Sequence, residues 1–99
     1  MSLESLTSAF VSRAQAADAL GSTIKFVFTD TEGVIYLDGT ANNAVSNEDR
    51  DAECTVHVAS ADLAEMMAGN LNPMMAFMTG KLRIEGDMGV AMKLGNVVG

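Results

Sequence analysis

Residues 69–94 read Gly-Asn-Leu-Asn-Pro-Met-Met-Ala-Phe-Met-Thr-Gly-Lys-Leu-Arg-Ile-Glu-Gly-Asp-Met-Gly-Val-Ala-Met-Lys-Leu. The punctuation of this stretch decides the C-terminal half of the fold. Asn72-Pro73 reads as a helix N-cap followed by proline at the first helical position, where the missing N–H would have no partner anyway. A short helix over 73–79 follows and ends at Gly80. Leu82 and Ile84 then alternate with Lys81, Arg83 and Glu85, the period of a strand with one apolar face. Asp87 is a second N-cap and opens a final helix from Met88 towards Val98.

That final helix is apolar on two sides. Met88, Ala91 and Met92 form one stripe, Val90, Leu94 and Val97 another, and only Gly89, Lys93 and Asn96 remain as a polar seam. A surface helix needs a single apolar stripe, so this one has two apolar bodies to face. One is the sheet. The other is a ligand, a partner subunit or the neighbouring Met-rich helices.

Working outward, Ser60 reads as the cap of another short helix, with Asp62 in its first turn, Leu63, Met66 and Met67 on its apolar stripe, and Gly69 at its end. Before it, Cys54, Val56 and Val58 alternate with Thr55 and His57 as a strand. Ile24, Phe26 and Phe28 alternate with Lys25, Val27 and Thr29 as a further strand. The turn Asp30-Thr31-Glu32-Gly33 joins it to Val34–Asp38 in a hairpin. The polar segment 39–53 leaves room for a short edge strand near Ala44-Val45. At the N-terminus, Leu3, Leu6, Phe10, Ala14 and Ala17 recur at helical spacing, predicting a helix from Leu3 to Leu20 stopped by Gly21. No linker, repeat or low-complexity tract interrupts the chain, which reads as one domain over 1–99.

Composition narrows the function. The chain has 99 residues, 48% of them apolar, and thirteen Asp and Glu against six Lys and Arg, for a net charge of −7. Nucleic acids and strongly anionic membranes are held by clustered Lys and Arg. This balance therefore argues against nucleic acid and allows at most weak, transient membrane contact. The charge is local, because residues 30–53 hold seven acids against Arg50 alone. A single cysteine, Cys54, cannot form an internal disulfide and suits a reducing compartment. No signal-peptide pattern opens the chain, and the longest unbroken apolar run is Met74–Met78, so a soluble, intracellular protein is expected.

Catalytic chemistry is poorly supplied. His57, the only histidine, falls on the polar side of its strand and Cys54 on the other by parity, so they do not form a nucleophile–base pair. No pair of carboxylates is marked out for acid–base work. One histidine and one cysteine cannot build a zinc site without several carboxylates. The stretch from Asn47 to Asp51 has oxygen ligands at alternate positions, but the glycine and glutamate of a calcium loop are replaced by Ala52 and Val58. It reads as a solvated loop. The glycines match no phosphate-binding spacing. No catalytic residue, metal or cofactor is therefore assigned.

Methionine remains. Of eight in all, seven lie between Met66 and Met92 on three adjacent predicted helices. This flexible side chain fills irregular space and accommodates variable apolar shapes, which suits either an ordinary core or a ligand cavity.

The same residues resemble the sterol carrier protein 2 family. Its pattern runs through Asp62-Leu63, Gly69, Pro73, Ala76-Phe77, Gly80-Lys81-Leu82, Ile84, Gly86-Asp87, Ala91 and Lys93-Leu94 without a gap. Ala52-Glu53-Cys54-Thr55 is similar to the family's A-D-x-T strand opening, and Asp38-Gly39 to the acidic end of its second strand. The resemblance implies an α+β fold, with a five-stranded, mostly antiparallel sheet whose helices on one face enclose an apolar tunnel. It implies a non-catalytic domain that binds and transfers fatty acids, fatty acyl-CoA, phospholipid or sterol. The peroxisomal tripeptide of eukaryotic members is not found at the end of this sequence, so a bacterial-type cytoplasmic location is expected, and Gly95 stands where members often carry glutamine.

On this reading the lipid is lined by Phe26 and Phe28 from the sheet, and by Met75, Phe77, Met78, Met88, Ala91, Met92 and Leu94 from the helices. Core packing is the competing reading at each position. The alternative function is an interaction or substrate-presenting module that docks on a partner lipid enzyme through the apolar C-terminal helix. The oligomeric state is left open.

Overall fold

The structure, a computed structural model, describes residues 3–93. Nine elements follow in order: α1 (Leu3–Ala16), β1 (Thr23–Phe28), β2 (Val34–Asp38), β3 (Ala44–Ser46), β4 (Cys54–Val58), α2 (Ser60–Met67), α3 (Pro73–Met78), β5 (Leu82–Gly86) and α4 (Met88–Met92). The strands form one sheet in the order β3-β2-β1-β4-β5. β1 and β4 run parallel and the other pairs antiparallel.

The register turns the period-2 pattern into a layer. Phe26 lies opposite Ile35 on β2 and Val56 on β4, and Val56 lies opposite Ile84 on β5. One row over, Phe28, Val58 and Leu82 are aligned in the same way. Residues opposite each other share a face, so these side chains make one apolar surface. Leu6, Phe10 and Ala14 of α1, Leu63, Met66 and Met67 of α2, Ala76 of α3, and Val90 and Ala91 of α4 bury against it in a single core. The Phe10 ring meets Phe26 edge-on at 5.0 Å between centroids, a favoured aromatic geometry. All four helices thus cover one face.

Three local expectations change. α1 stops at Ala16, not Leu20, because Asn43 takes over its end. The Asn43 side-chain amide donates to the Ala14 and Asp18 carbonyls, each at 3.0 Å, and its oxygen accepts the Leu20 N–H. Gly21, with φ +75°, serves the next turn, where its N–H donates to Gly39 and the Gly39 N–H donates to Ser22. A side chain on Gly39 would collide with the Ser22 carbonyl at 2.6 Å.

Ser60 does not cap α2 from its own side chain. Ala59 is the N-cap and forms no side-chain cap bond. The cap arrives from the β1–β2 turn, where Asp30 accepts both the Ser60 N–H and the Ser60 hydroxyl at 2.8 Å. These bonds hold the Asp30 carboxyl below the ordinary aspartate range.

The acidic segment before β4 is more than a solvated loop. It straps the sheet's outer face, with Asp49 pairing with Lys25 at 2.9 Å and the Arg50 guanidinium lying 5.1 Å from the Tyr36 ring centre. Glu53 accepts the Thr23 N–H while its own N–H donates to the Thr23 hydroxyl.

Candidate functional site

At the β5 edge of the sheet, two short helices leave a cleft between them. α3 begins where the sequence marks it, with Asn72 Oδ1 accepting the Met74 N–H at 2.8 Å and Pro73 at the first turn. It closes on Thr79 and Gly80, and the Lys81 N–H donates to the Ala76 carbonyl. β5 then runs back along β4 to Gly86. A side chain on Gly86 would strike the Glu53 carbonyl, and its φ of +99° also favours glycine. The next N–H, from Asp87, donates to that same carbonyl at 2.9 Å. Asp87 caps α4 by accepting the N–H groups of Gly89 and Val90. Two caps and one close backbone approach therefore aim both helices over Leu82 and Ile84.

The cleft between them measures about 410 Å³, and Asn72, Pro73, Met74, Phe77, Leu82, Ile84, Met88, Ala91 and Met92 line it. Leu82 and Ile84 belong to the sheet's inner face, Met74 and Phe77 to α3, and Met88, Ala91 and Met92 to α4. The methionines stand at the open side, with exposures of 64% at Met74, 49% at Met88 and 81% at Met92. Among the described residues the lining contains no titratable side chain. It can remove an apolar body from water and orient it by shape.

Of the residues expected around the ligand, Phe77, Met88, Ala91 and Met92 are brought together here. Met75 and Met78 are exposed on α3 outside the lining. Phe26 and Phe28 are buried on β1, separated from β5 by the whole of β4. α4 packs over β1, β4 and β5, and Val90 and Ala91 bury its inner side in the core above them. Leu94 lies outside the described residues, as do Gly95, Val97 and Val98. The lining adds Asn72, Pro73, Met74, Leu82 and Ile84. Leu82 and Ile84 carry a signal in the sequence, since they alternate like Phe26 and Phe28. Met74 differs from Met75 by one helical step, roughly 100° of rotation.

The other reactive groups lie elsewhere. Cys54 is buried on the inner face, and burial pushes its thiol above the ordinary range. His57 points to the outer face, where its Nε2 lies 3.4 Å from Glu85 Oε2. Among the described residues no cluster of His, Cys, Asp and Glu could hold a metal ion. No described helix is long and apolar enough to cross a membrane.

Comparison with known proteins gives a consistent pattern. Residues 3–99 match the SCP-2 sterol transfer family. Sterol carrier protein 2 of Oryctolagus cuniculus is 36% identical over 89 residues, which are 84% of this chain and 16% of that protein. Hydroxysteroid dehydrogenase-like protein 2 of Xenopus laevis is 48% identical over 48 residues, 48% of this chain and 12% of that one. The chain therefore spans only a small part of the curated relatives it matches. The solution structure of palmitated SCP2L2 from Aedes aegypti has the same fold. It superimposes with a TM-score of 0.80 at 23% identity, over 99% of this chain and 95% of that one.

Proposed function

The chain belongs to the SCP-2 sterol transfer family, and from that premise we propose that it is a carrier that binds a single-chain acyl lipid in the cleft between α3, β5 and α4. One observation carries the reading. Every exposed large apolar side chain among the described residues lies on α3 or α4, at Met74, Met75, Phe77, Met78, Met88 and Met92. A contiguous apolar surface of this kind marks a binding site. Four of these six side chains line one cleft.

The ligand class follows from the chemistry of the lining. The described lining carries no charged side chain to fix a headgroup, so affinity comes from burying methylenes, each worth roughly 0.8 kcal/mol before ordering costs. An acyl chain fits this description, and the matching Aedes aegypti structure is of a palmitated protein. Among the described residues the lining is apolar apart from Asn72, a surface suited to carriage.

Native mass spectrometry of the purified protein, followed by solvent extraction, tests the proposal. The expected result is a co-purified acyl lipid at one per chain. A clean protein that self-associates and takes up no added palmitate would instead support a module that docks on a partner enzyme.

A further inference from the structure

We propose that the cleft is also a modification site, at which a hydroperoxide oxidises Met74, Met88 and Met92 to sulfoxides and so expels the acyl ligand. The inference rests on the acyl-lipid reading above and adds a redox control to it.

The fold sorts the methionines by access. Met66 and Met67 are sealed in the core, at 1% and 4% exposure, whereas Met74, Met75, Met78, Met88 and Met92 range from 49% to 81%. Three of those five border the cleft, Met74 from α3 and Met88 and Met92 from α4. Leucine at these positions would solvate an acyl chain and remain inert. Methionine is the flexible apolar side chain that a two-electron oxidant turns into a polar one.

The chemistry balances with hydrogen peroxide alone. A sulfur lone pair attacks one peroxide oxygen, the S–O bond forms, and the O–O bond breaks. The proton on the transferred oxygen passes to the departing hydroxide, which leaves as water. Sulfur is oxidised by two electrons and the peroxide is reduced by two. A dithiol reductant reverses the step, ending as a disulfide while the oxygen leaves as water.

The open side of the cleft explains why oxidation reaches the ligand and not the fold. A sulfoxide at Met74, Met88 or Met92 is hydrated while the cleft is empty. An entering acyl chain strips that water away. Among the described residues, the lining offers no side-chain donor but Asn72 to replace it, and burying an unsatisfied acceptor is costly. The penalty falls on binding. Met66 and Met67, where a sulfoxide would disrupt the core, are shielded.

The test uses the delipidated chain, hydrogen peroxide as oxidant and palmitate as ligand. Peptide mapping reads which methionines gain oxygen, titration reads affinity, and a thermal melt reads folding. The expected result is oxygen at Met74, Met88 and Met92, none at Met66 or Met67, and a melting temperature within a few degrees of the start. Palmitate affinity falls at least tenfold and returns after treatment with methionine sulfoxide reductases of both stereospecificities. A triple variant, Met74→Leu, Met88→Leu and Met92→Leu, isolates the cleft. Whatever its own starting affinity, that affinity should not change on peroxide treatment, although Met75 and Met78 still oxidise. Full oxidation of the three cleft methionines without loss of affinity overturns the inference. So does an equal loss in the triple variant. If the unoxidised protein binds no palmitate, the acyl-lipid reading fails, and this inference fails with it.

Discussion

The side-chain oxygen of Asn43 accepts a hydrogen bond from the backbone N–H of Leu20 at 2.9 Å, across 23 positions of sequence. With its two bonds to the Ala14 and Asp18 carbonyls, this one buried amide satisfies three backbone groups where α1 gives way to β1. Asn43 also holds φ at +57°, a region that asparagine tolerates better than most residues. Asn43→Ala should therefore destabilise by roughly 3 kcal/mol, combining unsatisfied buried groups with backbone strain. For a domain of this size that is a fall in melting temperature of roughly 12–24 °C. Asn43→Gly, which relaxes the backbone but still loses the bonds, should fall less. Thermal melts of both variants separate the two causes, and a melt of Asn43→Ala within a few degrees of the parent would contradict this role.

The contact between Asp30 and Ser60 makes stability depend on pH. Two hydrogen bonds to the ionised carboxylate, from the Ser60 N–H and hydroxyl, lower its pKa in the folded state. The unfolded chain therefore takes up this proton first as the solution is acidified. The stabilisation is complete above the unfolded aspartate value, near pH 4, and is lost as pH falls through the lower folded value. Asp30→Ala should melt below the parent at pH 7, with a gap that stays constant down to about pH 5 and closes below about pH 4. Asp38, lowered by its bond with the Thr40 hydroxyl, titrates in the same direction. It is common to both proteins and cancels in the comparison. A gap that persists unchanged at pH 2 would exclude the carboxylate as its source.

Met92 separates ligand contact from core packing. At 81% exposure on the edge of the cleft, its thioether contributes little to folding. Met92→Gln should leave the melting temperature of the delipidated protein within a few degrees of the parent. Palmitate affinity should fall at least about fivefold, or about 1 kcal/mol, because the ligand displaces water from the amide. A large drop in melting temperature with unchanged affinity would place Met92 in the core.

Much of the fold is legible because its signals are local. Asn72-Pro73 and Asp87 start α3 and α4 where the caps require, and the alternation through Ile24, Phe26 and Phe28 puts the right side chains on the inner face. The missed features depend on residues distant in sequence. Asn43 ends α1 from 29 residues beyond Ala14, and Asp30 caps α2 from 30 residues before Ser60. Neither has a local pattern to betray it. The site shows the same division. Period-2 alternation assigns Phe26, Phe28, Leu82 and Ile84 to one face, but only the strand order puts β5 at the edge beside the opening and β1 two strands away from it. On α3, adjacent methionines differ by a helical rotation that the run Met74-Met75 does not reveal on its own.

Binding by burial of methylenes is read from calorimetric titration of the delipidated protein with octanoate and palmitate. The two ligands share a carboxylate and differ in chain length, so any difference in affinity reports the apolar lining. At roughly 0.8 kcal/mol per buried methylene before ordering costs, palmitate should bind at least tenfold tighter than octanoate, with one site per chain and a negative heat-capacity change. Equal affinity for the two acids would contradict it.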